Sequence, residues 1–357
     1  MERLIFHVDV NSAFLSWEAT RRVSQGEPDI RLIPSAIGGD REKRTGVILA
    51  KSIPAKKYGI KTGEPVAMAL RKCPDLFLAR PDFKLYEQSS KAFIDICREI
   101  APVVEKVSID ECFLDMTGTH RIYPDPVAIA HTIRNRIRSE LGFTVNVGIG
   151  NCKLLAKMAS DFEKPDKVHT LFLNEIPQKM WPLPVGELYM AGKSSVEVLH
   201  KLGIRSIGEL ANTDPVLLEL HLKSHGRTLW EFANGRSGDK VIREHAESKG
   251  IGHSTTLPQD VVTEEEARKV LLKLAEMVGK RVRREHKKAK MISVEIKYNT
   301  FQSVSHQKQL ERASSADLVL YEAACELFKE LWNGAPIRLI GIRTSKLVDE
   351  SEPEQMS

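Results

Sequence analysis

Apolar positions in the first half of the chain recur with the periods of alternating strands and helices. The run from Leu4 to Val8 predicts a buried strand that leads directly into Asp9. In chain order, the pattern predicts strand 3–9, helix 12–22, helix 86–100, strands 103–108 and 112–116, helix 126–141, strand 144–149 and helix 152–161. This order is the split βαβ arrangement of ferredoxin-like folds, which places the first strand beside the hairpin at 103–116.

The second half of the chain predicts two further domains. Proline-rich residues 177–184 mark a boundary, and residues 234–248 are polar and aperiodic, as is typical of a linker. Between them, short helical patterns predict helices 192–202, 206–212, 215–221 and 224–233. After the linker comes a second split βαβ unit, with strand 250–256, helix 263–286, strands 290–300 and 302–311, helix 315–333 and strand 337–347.

Residues 29–65 interrupt this regular order and predict a small basic lobe inserted after the first strand and helix. The lobe contains Gly38-Gly39, a charged turn at 40–44, an apolar strand at 46–50 and a cluster of Lys51, Lys56 and Lys57. The fold class that follows is α+β with several domains.

Composition narrows the class of protein. The 357 residues exceed one ordinary core, and 42% hydrophobic residues indicate a folded chain. A net charge of +5 is compatible with a nucleic-acid partner without requiring one. No apolar run approaches the ~20 residues of a membrane span, and no secretory pattern opens the chain, so a cytosolic protein is expected. The five cysteines form no close pair, which favours reduced, buried thiols.

Asp110 and Glu111 interrupt a stretch that otherwise alternates like a pair of half-buried strands. Most Asp-Glu pairs lie on solvated turns, and for the pair alone this alternative stays open. The apolar neighbours Val107 and Phe113 nevertheless indicate a buried sheet, where an unpaired carboxylate is costly. With Asp9, the chain offers three carboxylates near strand ends. Hard oxygen ligands of this kind suit Mg²⁺ bound together with substrate phosphates, and they predict phosphoryl or nucleotidyl transfer.

Basic residues are concentrated near the end of the helix predicted at 263–286, where Arg284 and Lys287 lie. Such a run is usually a solvated helix end, and this alternative remains open. The neighbouring strands carry polar side chains that suit phosphate oxygens, among them Lys297, Thr300, Ser303 and Ser305. Since no aromatic stacking pair is evident there, the pattern favours contacts with a sugar-phosphate backbone over reading of bases.

Three motifs, in order and at family spacing, resemble those of Y-family translesion DNA polymerases of the DinB, or DNA polymerase IV, type. They are HVDVNSAF at 7–14, SIDECFLD at 108–115 and VGIGNCKLLAKMASD at 147–161, followed by Lys164-Pro165. Residues 251–260, IGHSTTLPQD, further resemble the first strand of the family's little finger domain. The resemblance covers essentially the whole chain.

The resemblance implies the shape of a right hand with a ferredoxin-like palm, small fingers, a helical thumb with a helix-hairpin-helix turn, and a little finger built as a second split βαβ unit. The implied domains are palm at 1–15 and 82–170, fingers at 16–81, thumb at 171–236, linker at 237–245, little finger at 246–348 and an acidic tail at 349–357.

The resemblance also implies roles for residues of the first motifs. Asp9, Asp110 and Glu111 would be the catalytic carboxylates and would coordinate two Mg²⁺ ions, helped by the backbone carbonyl of Val10. Phe14 would lie beneath the incoming sugar and exclude a 2′-hydroxyl; its alternative role is a core aromatic. The other implied nucleotide contacts are Ser12, Ala13, Lys56, Lys57 and Lys164.

Two departures from the family pattern concern phosphate binding. Where the family presents a Tyr and an Arg three residues apart, this chain has Ile53 and Lys56, so a hydrogen-bond donor and a bidentate fork are lost and Lys57 is expected to share the charge. In the thumb turn only one glycine of the family pattern remains, and Gly192, Lys193 and Ser194 are expected to meet a DNA phosphate at a helix N-terminus.

The implied function is low-fidelity, template-directed DNA synthesis past lesions, with transfer from a dNTP to a primer 3′-hydroxyl and release of pyrophosphate. A catalytically silent DNA-binding scaffold is the alternative. A nucleotidyl cyclase on the same palm topology does not explain the thumb-like helices. Primer-template DNA and dNTP are the expected partners of a monomer. A sliding clamp is a further expected partner if Gln355-Met356-Ser357 begins a clamp-binding peptide whose Leu-Phe anchors lie beyond this sequence.

Overall fold

The computed structural model describes residues 3–39, 46–238, 240–243 and 248–351. The chain folds as two compact units, the first made of residues 1–39 and 47–245 and the second containing residues 246–357. The predicted charged turn at 40–44 and the predicted clamp peptide at 355–357 lie outside the described residues.

The first unit contains eight labelled strands and eleven labelled helices within the described residues. The strands are β1 (Ile5–Val10), β2 (Ser35–Gly38), β3 (Ile48–Lys51), β4 (Phe77–Ala79), β5 (Val103–Lys106), β6 (Glu111–Asp115), β7 (Val145–Gly150) and β8 (Val168–Leu171). The helices are α1 (Ala13–Ser24), α2 (Ile53–Lys56), α3 (Val66–Lys72), α4 (Phe83–Ile100), α5 (Pro126–Leu141), α6 (Lys153–Asp161), α7 (Ile176–Lys179), α8 (Lys193–Lys201), α9 (Ile207–Ala211), α10 (Pro215–Leu222) and α11 (Ser224–Ala233).

A five-stranded sheet in the order β5-β6-β1-β7-β8 confirms the predicted split βαβ arrangement. Strand β1 is antiparallel to both β6 and β7, and its register places Asp9 opposite Glu111. Alternation along β1 sends Phe6 and Val8 into the core formed with α4 and α5. His7 and Asp9 therefore point to the other face, where α6 packs.

Short strands escaped the sequence prediction. Strand β8 pairs in parallel with β7 at the edge of the sheet, and a separate sheet in the order β3-β2-β4 forms in the predicted fingers segment. These strands have only three or four residues each, too few to show an alternating pattern. Of this small sheet, only β3 was predicted, at 46–50.

The four helices predicted between residues 192 and 233 are confirmed as α8 to α11. Their core also includes Leu154, Leu155 and Met158 from α6, which links the predicted thumb to the palm sheet. All five cysteines are free and buried, as expected for packing residues.

Part of the predicted linker is anchored instead of free. Val241 is buried against Ile5 and Phe113, and the Ile242 backbone N–H donates to Glu105 Oε2 at 2.9 Å. The Arg243 guanidinium donates to the carbonyl of Pro102. The polar, aperiodic composition of 234–248 predicted a linker. Composition alone does not reveal these contacts with β1, β5, β6 and Pro102.

The second unit confirms the predicted order of elements: β9 (Gly250–Val261), α12 (Glu264–Arg284), β10 (Lys287–Tyr298), β11 (Ser303–Ser314), α13 (Asp317–Leu331) and β12 (Ile337–Asp349). Its sheet has the order β11-β10-β12-β9. Each helix connects two strands that have a third strand between them, as in the palm. The two central strands of this sheet are β10 and β12, whereas β1 and β6 hold the corresponding places in the palm. Among the described residues, no helix combines the length and apolar character needed to cross a lipid bilayer.

Close contact between β7 and α6 depends on Gly148. A Cβ atom at this position would lie 2.0 Å from the Ala156 carbonyl oxygen and 2.4 Å from the Ser160 nitrogen. We therefore expect Gly148→Ala to lower the free energy of unfolding by roughly 1–3 kcal/mol, the usual cost of overpacking a core. Urea denaturation would measure this, with Gly238→Ala as the control, since a Cβ there would meet no described atom within 4 Å. Equal stability of the two variants would contradict the expectation.

Candidate active site

A cleft of about 550 Å³ opens in the first unit between the palm sheet and the small fingers sheet. The carboxylates lie together with Lys157 and Lys164, and Lys51 and Lys56 line the cleft from β3 and α2. The residues that line the cleft include Asp9, Ser12, Ala13, Phe14, Lys51, Ile53, Lys56, Asp110, Glu111, Lys157 and Lys164. The cleft therefore unites all three of the sequence motifs that carried the family resemblance.

The three predicted carboxylates converge at the ends of adjacent strands. Asp9 lies at the end of β1 directly opposite Glu111, the first residue of β6. Asp110 precedes β6 in the turn after β5, where the Ser108 hydroxyl donates to Asp110 Oδ1 at 2.5 Å. The Val10 backbone N–H donates to the Asp110 carbonyl at 3.0 Å. Asp110 thus lies in the turn of the hairpin, between the strands predicted at 103–108 and 112–116.

Two ammonium groups lie among these carboxylates. Lys157 Nζ is 3.1 Å from Glu111 Oε1 and 3.4 Å from Asp9 Oδ2, and Lys164 Nζ is 2.8 Å from Asp9 Oδ2. Burial is the largest single influence and on its own would lower the pKa of Lys157 and of Lys164. The surrounding carboxylates together outweigh it and raise the pKa of each: Asp9, Asp161 and Glu111 around Lys157, and Asp9 and Asp161 around Lys164. Both therefore stay charged at neutral pH. Lys157 was not predicted as a site residue, although it lies in the third motif, on the helix predicted at 152–161.

His7 contacts Glu111 from the buried side of the cleft. Its Nε2 lies 3.3 Å from Glu111 Oε2, and its Nδ1 lies 2.8 Å from Ser160 Oγ. The hydrogen bond from His7 is the largest cause that lowers the pKa of Glu111, to about 2, against the opposing effect of burial. Burial lowers the pKa of His7 itself, so the ring is neutral at pH 7. His7 is the first residue of the motif at 7–14, but the sequence alone predicted no role for it.

A buried amide network holds the loop that carries Lys164. Asn11 Nδ2 donates to Asn146 Oδ1 at 3.1 Å, and the backbone N–H of Asp166 donates to Asn11 Oδ1 at 3.0 Å. Asn146 Nδ2 donates to the Glu163 carbonyl at 2.6 Å, while the Lys167 N–H donates to Asn146 Oδ1 at 3.2 Å. Lys164 therefore extends from a backbone segment that is held on both sides.

The donor set fits a hard divalent cation by its chemistry. Asp9, Asp110 and Glu111 offer carboxylate oxygens, the ligands that Mg²⁺ prefers. In the part of the chain that the structure describes, no three carboxylate, imidazole or thiol groups are arranged closely enough to hold a metal ion. Instead, the ammonium groups of Lys157 and Lys164 supply the positive charge beside Asp9 and Glu111.

Phe14 occupies the floor of the cleft at the start of α1. Its ring is half-buried and stacks on Tyr86, with ring centroids 4.7 Å apart. Ser12, just before the helix, has the left-handed φ of 47°, and its carbonyl accepts the first helical hydrogen bond from Ser16. The predicted nucleotide contacts Ser12, Ala13 and Phe14 thus all line the cleft at a helix N-terminus.

The fingers present two lysines to the cleft. Lys51 at the end of β3 and Lys56 in α2 both line it, together with Ile53, whose side chain is exposed. Burial, followed by the charge of Lys56, lowers the pKa of Lys51, and Lys51 Nζ donates to Thr62 Oγ1 at 3.2 Å. Lys57 is exposed and is not part of the lining. The sequence had singled out Lys56 and Lys57 as nucleotide contacts and had left Lys51 out.

The predicted DNA-contacting residues of the thumb lie on the surface. Gly192, Lys193 and Ser194 are exposed at the start of α8, with open space around the Gly192 Cα. Exposure at a helix N-terminus is compatible with an anionic ligand.

In the second unit, the sheet face opposite α12 and α13 forms a concave surface of about 830 Å³. The predicted Ser303 and Ser305 line it, with Ser254, Ser293 and Arg343, which were not predicted. Lys297 pairs with Ser303 across β10 and β11 and shares this face by strand alternation. Thr300 is exposed in the turn between those strands. The small side chains leave room for a close approach to the sheet backbone.

The predicted basic cluster is partly neutralised. Lys287 Nζ forms an ion pair with Asp349 at 2.7 Å, and Arg283 forms one with Asp317 at 2.7 Å. Arg281 donates to the Gly252 carbonyl at 2.9 Å. Arg284 is exposed at the end of α12. These contacts favour a structural role for much of the cluster.

The fold resembles a solved structure of a Y-family DNA polymerase chimera, Dbh-Dpo4(243-245)-Dbh, with a TM-score of 0.86 and 22% identity over 97% of this chain and 99% of that chain. This chain therefore shares the fold of that Y-family polymerase structure.

Sequence comparison defines the family. The models of the impB/mucB/samB family and of its C-terminal domain match residues 8–161 and 248–357. DNA polymerase IV of Clostridium acetobutylicum is 48% identical over 98% of this chain and 89% of its own length. DNA polymerase IV of Clostridium kluyveri is 38% identical over 100% and 88%, and DNA polymerase IV 1 of Bacillus subtilis 37% over 98% and 83%. This chain belongs to the impB/mucB/samB family, as a DinB-type member of the Y-family.

The lowered pKa of Glu111 has a consequence for acid stability. Since this carboxylate titrates near 2 in the folded protein and near 4.5 when unfolded, its stabilisation is complete above pH 4.5 and is lost as the pH falls toward 2. We expect the wild type to lose roughly 1–3 kcal/mol more unfolding free energy over this window than Glu111→Gln. Urea denaturation at several pH values would measure it, with the exposed Glu87→Gln as control. Parallel pH curves for wild type and Glu111→Gln would contradict the assignment.

Proposed function

We propose that this chain is a DNA-directed DNA polymerase that carries out low-fidelity, template-directed synthesis across damaged DNA. The observation that carries the proposal is the convergence of Asp9, Asp110 and Glu111 with lysines in one cleft, in a chain of the impB/mucB/samB family. The reaction joins a dNTP to a primer 3′-hydroxyl and releases pyrophosphate.

Asp9, Asp110 and Glu111, with the Val10 carbonyl, are the proposed ligands of two Mg²⁺ ions. When bound, such a pair of ions lowers the pKa of the attacking hydroxyl and neutralises charge on the leaving phosphates. The register of β1 against β6 supports the ligand set because it keeps the Asp9 and Glu111 backbones adjacent. The chain itself contributes the placement of these oxygens.

Lysines and a helix end are the proposed contacts of the triphosphate. Lys164 is the primary ligand, supported by its held loop, and Lys157 supplies a second charge from α6. Lys51 and Lys56 are proposed to make the triphosphate contacts that the Tyr and the Arg make in the family pattern. Ile53, at the position of the Tyr, also lines the cleft but has no hydrogen-bond donor in its side chain. The backbone N–H groups at Ser12 and Ala13 add donors.

Phe14 is the proposed gate against ribonucleotides. Its stacking on Tyr86 restricts the ring, so a 2′-hydroxyl on the incoming sugar would collide with a surface that cannot readily move. The small fingers sheet leaves the nascent pair loosely enclosed, which accounts for tolerance of damaged templates and for low fidelity.

Primer-template DNA is the proposed macromolecular partner. Gly192, Lys193 and Ser194 are assigned to a backbone phosphate, and the concave face of the second unit is assigned to a sugar-phosphate strand through Lys297, Thr300, Ser303 and Ser305. Arg284 and Lys287 are weaker assignments, because Lys287 is already paired with Asp349.

The remaining expectations follow from this role. A polymerase of this kind works on chromosomal DNA in the cytoplasm, and we propose a monomer. A sliding clamp is proposed as an additional partner through residues 355–357.

Catalysis separates the proposal from a silent DNA-binding scaffold. We expect the wild type to extend a primer with Mg²⁺ and dNTPs in short, distributive steps, and Asp110→Ala to lose at least about a hundredfold in rate, since a ligand oxygen is removed. A gel-based extension assay measures this, and a binding titration with the same DNA shows whether the variant still holds it. Extension that persists in Asp110→Ala rules the assignment out, and a wild type that binds without extending favours the scaffold.

Triphosphate binding by the fingers can be tested with three lysines close together in sequence. We expect Lys51→Ala and Lys56→Ala each to raise the KM for dNTP roughly tenfold with a smaller change in kcat, since a charged hydrogen bond contributes about 1.5–3 kcal/mol. Lys57→Ala is the matched control, because Lys57 is exposed and does not line the cleft. Steady-state kinetics at fixed DNA would measure these values. A similar rise in KM for all three variants would indicate general electrostatics instead of direct contact.

A further inference from the structure

His7 is a fully buried, polar side chain in β1. Strand alternation puts it on the same face as Asp9, and its ring packs on Phe113 with centroids 4.7 Å apart. A polar ring at such a position would be an ordinary core residue if its nitrogens were satisfied far from the cleft. One of them instead contacts a catalytic carboxylate.

The two ring nitrogens have different partners. Nε2 lies 3.3 Å from Glu111 Oε2, and Nδ1 lies 2.8 Å from Ser160 Oγ. Because an ionised carboxylate can only accept a hydrogen bond, Nε2 carries the proton. In a neutral ring Nδ1 then accepts from the Ser160 hydroxyl, whose one proton is shared with the Lys157 carbonyl 2.8 Å away. Bonds on both sides fix the ring plane between β6 and α6.

The contact leaves the two Glu111 oxygens in different surroundings. Oε2 is held by the buried His7, whereas Oε1 faces Lys157 Nζ at 3.1 Å beside the cleft. A free glutamate side chain samples many rotamers, and the hydrogen bond selects one that presents Oε1 outward. Partners of this type behind ligands orient them in metal sites.

We propose that His7 is a positioning residue that orients Glu111 for metal binding. The inference rests on the proposed function, since it concerns one ligand of the proposed metal site. His7 itself touches neither substrate nor metal. Its part is to hold one carboxylate oxygen toward the protein interior so that the other is available in the cleft.

The first test is spectroscopic and does not depend on activity. Nitrogen-15 NMR of histidine-labelled protein reports which ring nitrogen bears the proton. We expect the His7 signals to show a protonated Nε2 and an unprotonated Nδ1. A ring protonated at Nδ1 alone would have no Nε2 proton to donate to Glu111 and would overturn the proposal.

The second test compares variants by Mn²⁺ binding, measured by electron paramagnetic resonance with primer-template and a non-hydrolysable dNTP analogue. His7→Phe keeps a ring but removes the N–H, and we expect Mn²⁺ affinity to fall by roughly 10–100-fold. His7→Gln keeps an N–H donor and should retain affinity within a few-fold. In steady-state kinetics, His7→Phe should have a lower kcat and should need a higher Mg²⁺ concentration, with little change in KM for dNTP.

Phe113→Leu is the control for packing. It disturbs the ring against which His7 lies while leaving both hydrogen bonds, so thermal stability should fall without weaker Mn²⁺ binding. Wild-type Mn²⁺ affinity in His7→Phe, or equal losses in His7→Gln and His7→Phe, would reduce His7 to a core residue. If His7→Phe does not fold, the NMR signals and His7→Gln still decide. A wild type that neither binds Mn²⁺ nor extends primers would instead overturn the proposed function.

Discussion

The antiparallel pairing of β1 with β6 is the constraint on which the site depends. It sets the Asp9 and Glu111 backbones side by side, although two adjacent carboxylates repel each other. The repulsion is offset by Lys157 and Lys164, which bring two positive charges to the same place. Helix α6 can deliver Lys157 only because Gly148 allows it to lie directly on β7. The balance of charge at the site therefore depends on both the pairing of β1 with β6 and the packing of α6 on β7.

Long periodic segments were predicted well from sequence, because a helix or strand that faces a core repeats its apolar positions regularly. Those segments also implied that Asp9 and the Asp110-Glu111 pair would meet, which the sheet order confirms. The short strands β2, β4 and β8 lay below the length at which alternation is visible, whereas β3 was predicted at 46–50. The predicted boundary at residue 15 falls inside α1, whose Trp17 and Ala19 pack in the same core as Phe6 and Val8 of β1.

Contacts between distant residues were the other limit. Nothing in the spacing of His7, Ser160 and Glu111 shows that the ring joins them, since this depends on how α6 crosses the sheet. The same holds for Lys51, which reaches the cleft because β3 ends there. Conversely, the run of basic residues near Arg284 was conspicuous in sequence, yet several of its members are engaged with Asp317, Asp349 or a backbone carbonyl.

The buried amides of Asn11 and Asn146 have a thermodynamic consequence for nucleotide affinity. Because they hold the backbone on both sides of Lys164, that lysine is already placed before any ligand arrives. In its proposed role, only its side chain, now paired with Asp9 and Asp161, would have to move to meet a phosphate, so less of the binding enthalpy would be offset by ordering of the loop. An open cleft can in this way still retain the nucleotide that we propose for it.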